Sequence, residues 1–225
     1  MQYNEFDWTY FRYESYDVFF YKNGRPIAEK VSVMTARNLK RMERFLNESL
    51  DQRIHIMVFN SLTDLKQSNL NPSDDDSYNT GGVTRTAGTR MFVYFDGDYV
   101  HLEQQIREGL AYLVLSNMLY GGFTSSLKNS TLLNLPEWYT EGLISYLSRP
   151  WNPDIDAHVM DGFAANTYKR INALSGEEAK IAGHSIWQYI SETYGEGVIK
   201  NLLFETIRSR SLDMGLQHVL GVTLS

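Results

Sequence analysis

From Val100 to Tyr120 the sequence reads as one helix that has an apolar face at its start and becomes apolar almost all round toward its end, and this stretch limits the fold more than any other feature. Leu102, Ile106, Leu110 and Leu113 recur at helical spacing, and the residues that follow leave no broad polar face. A helix of that kind cannot lie on a surface, so other layers must cover it. Gly121-Gly122 marks its end.

The preceding segments supply one layer. Tyr16 to Tyr21 is aromatic and extended, and Asn23-Gly24 is a turn signal. From Pro26 the spacing of Ile27, Val31, Met34, Met42, Phe45 and Leu46 predicts a helix. Arg53 to Phe59 predicts a buried strand, and Ser61 a cap for a short helical turn. Residues 68–80 are polar and predict a solvated loop. Its run Asp74, Asp75, Asp76 lacks the spacing and distal Glu of a calcium loop. Gly81-Gly82 and Gly88 punctuate a hairpin whose second strand, Arg90 to Phe95, alternates in polarity.

Beyond the central helix the pattern is helical throughout. Asn134 is placed to cap a helix with Pro136 in its first turn, running to about Ser148. Further helices are expected over residues 154–174, 180–194, 196–209 and 212–220. The sum is an α+β fold: an N-terminal mixed β-sheet with helices, a central buried helix, and an all-helical C-terminal half. The expectation is one domain over residues 1–225, with an α/β part at 1–120 and a helical part at 121–225, cut from a longer chain.

Composition narrows the chemistry. A net charge of -6 argues against a nucleic-acid surface, which needs a basic face. With no cysteine there can be no disulfide and no thiolate metal site. His55, His101, His158, His184 and His218 are the only imidazoles. No apolar run reaches the roughly 20 residues of a membrane span, and no signal peptide is visible.

Two segments carry a possible site. One is Ile106-Arg-Glu-Gly-Leu-Ala-Tyr112, inside the central helix. The other is Leu135-Pro-Glu-Trp-Tyr-Thr-Glu-Gly-Leu-Ile-Ser-Tyr146, on the next. Together they resemble the gluzincin metallopeptidases of the peptidase-MA-like group, which implies a zincin-like fold. The family's second helix opens with Pro-x-Trp and carries a metal-binding Glu before Gly. Here Pro136, Trp138, Glu141, Gly142 and Tyr146 match that phrase. In the family's first helix, two histidines four residues apart grip zinc from one face. A Glu beside the first activates the metal-bound water.

On this chain Arg107 stands in the first histidine's place, Glu108 at the general base, Ala111 in the second histidine's place and Glu141 at the third ligand. Arginine stays protonated and offers no lone pair, and alanine offers nothing. The resemblance therefore implies a catalytically inactive relative with no cofactor and no metal. His101 is too distant to rescue the site, at roughly 10 Å along the helix. His184 is expected to be structural, with Tyr112, Trp138, Tyr139 and His184 as candidates to line a residual cleft. With zinc gone, Arg107 is expected to pair with Glu141, and with Glu108 as well. The alternative has Arg107 turned outward and Glu108 bonded to Tyr112 or Tyr139.

Similar segments precede TolB-like β-propeller repeats in bacterial envelope proteins. The resemblance thus implies a periplasmic or envelope-exposed interaction module, a following β-propeller region, and a protein or glycan partner of unknown identity. Two rival readings remain at this point. One is an active zinc peptidase with other ligands. The other is peptide or glycan binding or hydrolysis by Glu108 and Glu141 as paired carboxylates.

Overall fold

A computed structural model of the chain describes residues 6–68, 77–80, 83–121 and 133–223. The chain is α+β and divides into two compact units near residue 123, with the short segment Phe45–Asn47 grouped with the second.

The N-terminal unit is built on a six-stranded sheet. Its strands are β1 (Thr9–Arg12), β2 (Tyr16–Phe20), β3 (Ile54–Phe59), β4 (Ser77–Thr80), β5 (Val83–Ala87) and β6 (Arg90–Tyr94). Their order across the sheet is β1-β2-β3-β6-β5-β4. The centre is parallel, with Val18 opposite Ile56 and Val58 opposite Val93. The flanks are antiparallel hairpins. Helix α1 (Arg25–Leu46) makes the crossover from β2 to β3 that a parallel pair requires. It buries Ala28, Val31, Leu39, Met42 and Leu46. Asn23 takes the left-handed conformation in the preceding turn, as Asn-Gly sequences favour. After β3 comes the short α2 (Leu62–Gln67), where Ser61 Oγ accepts the Asp64 N–H as the expected cap.

Helix α3 (Tyr99–Tyr120) is the predicted central helix. Asp98 Oδ1 accepts the Val100 N–H at its start, and Gly121 closes it in the left-handed conformation. Leu102, Ile106, Leu110, Leu113 and Val114 are fully buried with Ile56, Val58, Met91 and Val93 of the sheet. Gly109 lets α3 approach β6 closely, since a Cβ there would lie 2.3 Å from Met91 Sδ.

The C-terminal unit is helical: α4 (Glu137–Ser148), α5 (Pro153–Ala164), a 3-10 helix (Thr167–Ala173), α6 (Gly176–Tyr194), α7 (Gly197–Ser209) and α8 (Leu212–Leu220). Helices α4 and α6 form its main contact. Ile155, Val159 and Ile181 make a second small core under Trp151 and Tyr168. No helix among the described residues is long and apolar enough to cross a membrane.

Four expectations change. β1 joins the sheet at one edge, and β4 forms at the other, where residues 68–80 predicted only a loop. The Asp74–Asp76 run, Gly81-Gly82 and Gly122 lie outside the described residues. The helix expected over 154–174 is two pieces, because Asn166 turns left-handed between α5 and the 3-10 helix. Asn134 does not cap α4: the chain enters extended through Pro136, at φ -67° and ψ 150°, with no side-chain cap.

Candidate functional site

Glu108 lies deep in the N-terminal unit, 4% exposed, on the α3 face that meets the sheet. An ionised carboxylate there needs compensation. Its cation comes from the sheet. Arg85 of β5, also buried, places Nε 3.9 Å from Glu108 Oε2. The Arg85 Nη1 donates to Gln105 Oε1 at 2.9 Å, and the guanidinium lies 5.5 Å from the centre of the Tyr94 ring. Gln105 is fixed in turn, donating to the Tyr94 carbonyl at 3.0 Å and accepting the Tyr94 N–H at 3.1 Å.

The backbone explains how a charged side chain reaches this depth. β5 pairs with β6 only at Thr86↔Met91 and Ala87↔Arg90. Arg85 lies just beyond that ladder. Tyr94, further along β6, has its N–H and carbonyl taken by the Gln105 amide instead of a strand. The side chain of Gln105 thus serves as a surrogate peptide unit, satisfying backbone groups that would otherwise be buried unpaired. The Arg85 Nε has no hydrogen-bond partner of its own, so its relation to Glu108 is an ion pair at contact distance and not a closed bidentate bond.

Arg107 is held by partners within its own unit. Nη2 donates to Glu103 Oε1 at 2.8 Å, one helical turn back, and Nε donates to Asn38 Oδ1 of α1 at 3.2 Å. Glu103 also accepts from Asn38 at 3.0 Å and Arg37 at 2.6 Å. Burial pushes the Glu103 carboxyl up, but the hydrogen bonds of Asn38, Arg107 and Arg37 and the charge of Arg107 outweigh it. They bring its pKa down to about 2. Arg107 is therefore a strut between α1 and α3. Ala111 is fully buried packing, and Tyr112 is half-buried on α3.

In the C-terminal unit Glu141 is half-buried on α4, and its neighbours Trp138 and Tyr139 are core residues rather than cleft walls. The Trp138 indole donates to Asn172 Oδ1 at 2.8 Å, and the Tyr139 hydroxyl shares a 3.1 Å hydrogen bond with Thr206 of α7. Trp187 of α6 donates its indole N–H to the Tyr139 carbonyl at 2.9 Å. Gly142, next to Glu141, is needed for packing: a Cβ on it would lie 2.4 Å from the Gly183 Cα of α6. A Cβ on Gly183 would lie 1.9 Å from the Trp138 carbonyl oxygen. Two facing glycines let these helix backbones touch.

His184 follows Gly183 on α6 and is fully buried. Its Nδ1 is 2.9 Å from Ser145 Oγ, which also accepts the Nε–H of Arg149 at 2.9 Å. Trp151 and Tyr146 wall the ring edge-on. Burial, then the charges of Arg149 and Lys180, depress its pKa to about 4, so the imidazole is neutral at physiological pH. It belongs to the core and not to a cleft.

The other imidazoles are dispersed. His55 faces Asp17, His101 bonds Asp96 at the start of α3, His158 bonds the Asp154 carbonyl, and His218 bonds Glu205. Among the described residues, no group of three His, Asp or Glu side chains is arranged to hold a metal ion.

Sequence reasoning missed Arg85. A usable signal existed: a Glu inside an all-round apolar helix needs a cation, and β5 and β6 each carry one arginine, Arg85 and Arg90. No protein-family model and no curated protein matches this chain.

Proposed function

We propose that this chain is a peptidase-like domain without peptidase activity, serving as an interaction or structural module. One observation carries the reading: Glu108, at the general-base position of the resemblance, is buried against Arg85. A general base must reach the proton it takes, and this carboxylate is held in the interior against a guanidinium. The neighbouring positions support the same reading. Arg107 cannot ligate zinc and is engaged by Glu103, and Ala111 has no donor atom. The envelope location and a following β-propeller region belong to this proposal and rest on the motif resemblance.

The test is zinc content by elemental analysis after incubation with the metal, run beside a general peptidase assay. The expected result is less than stoichiometric zinc, with no peptide cleavage above that of the Glu108→Gln chain. Tightly held stoichiometric zinc, with cleavage that Glu108→Gln abolishes, would overturn the proposal.

A further inference from the structure

The outer face of α1 carries charge of one sign. Lys30, Arg37, Lys40, Arg41 and Arg44 are all exposed. At about 3.6 residues per turn they fall within an arc of about 100°. That arc lies on the side away from the buried Ala28, Val31, Leu39 and Met42. The stripe runs for about 21 Å along the helix, and no Asp or Glu falls within it. A solvated helix face ordinarily mixes both signs, and this one does not, although the chain carries a net charge of -6. The stripe also repels itself. Arg37 has like-charged neighbours three and four residues on, at Lys40 and Arg41, and Arg44 stands in the same relation to both. Among the described residues only Arg37 is answered by a carboxylate, Glu103 Oε1 of α3 at 2.6 Å. Arg44 turns its Nε onto the Lys40 carbonyl at 3.1 Å.

We infer that this stripe docks an acidic segment of a partner protein, which lays its Asp and Glu side chains along α1. The complementarity is local. At physiological salt, charges more than about 8 Å away are largely screened, so the acidic remainder of the chain does not cancel the stripe. Its width decides the class of partner. Glu29 and Glu43 lie on one margin of the stripe, and Glu103 of α3 lies on the other. A flat anionic membrane, or the two backbones of a nucleic-acid duplex, would press negative charge against those carboxylates as well. A single peptide segment, about 10 Å across as a helix, meets the cations alone and relieves their mutual repulsion. The stripe includes none of the peptidase-like positions, so zinc binding or peptide cleavage by this chain would count against that reading alone.

The experiment measures binding of the full chain to a dye-labelled, Glu-rich peptide of about 15 residues, the length of the stripe as a helix, by fluorescence anisotropy. Vesicles of phosphatidylcholine and phosphatidylglycerol in equal parts, and a DNA duplex, are the rival anions. The stripe variant is Lys40→Glu/Arg41→Glu. Its control is Lys169→Glu/Arg170→Glu, which changes the net charge equally at two exposed residues of the C-terminal unit. Wild type should bind the peptide saturably, the stripe variant about tenfold more weakly, and the control within about twofold of wild type. Equal losses in the two variants would reduce the effect to net charge and overturn the inference. So would an absence of saturable peptide binding by wild type, or binding to vesicles or duplex at concentrations where the peptide does not bind. If Lys40→Glu/Arg41→Glu does not fold, Lys40→Gln/Arg41→Gln takes its place. Its expected loss is about fivefold, and an unchanged affinity overturns the inference.

Discussion

In the N-terminal unit a carboxylate, Glu108, is buried against a permanent cation, Arg85. At the α4–α6 crossing of the C-terminal unit the buried polar groups include the Ser145 hydroxyl, a neutral His184 and the Trp187 indole. The first arrangement depends on charge balance: a buried ion is expensive and is tolerated where opposite charge compensates it. The second depends on shape. Two glycines bring backbones into contact, and neutral hydrogen bonds fill in around them. The first should therefore be sensitive to changes in charge at constant volume, and the second to changes in volume at constant charge.

The sharpest break on the shape side is Gly183→Val. Its side chain would collide with the Trp138 carbonyl and Gly142. Both are backbone atoms that cannot swing aside, so the helices must part. The expected loss is about 4 kcal/mol by urea denaturation, at the upper end of overpacking costs. A loss below about 1 kcal/mol would show that the crossing is not held by close contact.

A second effect comes from His184, whose folded pKa of about 4 lies below its ordinary 6.5. Between those values the unfolded chain binds the proton and the folded chain resists it. Stability from this group is therefore complete above pH 6.5 and is lost as pH falls toward 4. The full span is at most about 3 kcal/mol. Urea midpoints measured from pH 7 to pH 4 should show this slope, and His184→Gln should flatten it. An unchanged slope would locate the acid sensitivity elsewhere.

Trp187→Phe is milder. It deletes the hydrogen bond to the Tyr139 carbonyl and leaves a small void beside that ring. The expected cost is about 2 kcal/mol by the same measurement.

These differences bear on what could be read from the sequence. The central helix was legible because an all-round apolar pattern has one solution, burial, and the structure places α3 accordingly. The Ser61 cap was legible because the signal is local. Arg85 was not, because its burial is decided by partners about 20 residues along the chain, Gln105 and Glu108. A charged residue in a short segment between turn glycines otherwise predicts a solvent-facing hairpin. β1 was missed for a related reason: Thr9–Arg12 is an edge strand, mostly exposed, and carries no clear alternation. The phrase around Glu141 was legible as a motif but not for what its residues do. Trp138, Tyr139 and Gly142 are each accounted for by packing within the C-terminal unit.

The smallest expected effect separates the two arginines on which a charge argument could rest. Arg107→Ala removes one of three donors to Glu103, but Asn38 and Arg37 remain, and the carboxylate is not left alone. The cost at pH 7 should be about 1 kcal/mol, several times less than for Arg85→Ala. The pH dependence is a second discriminator. A carboxylate depressed from its ordinary 4.5 to about 2 stabilises the fold above 4.5 and loses that contribution as pH falls toward 2. The Arg107→Ala deficit should thus shrink over that lower window, below the range in which His184 acts. If Arg107→Ala cost as much as Arg85→Ala, the strut between α1 and α3 would be as dry as the Glu108 site. The division between one buried charge pair and one solvent-moderated network inside the N-terminal unit would then fail.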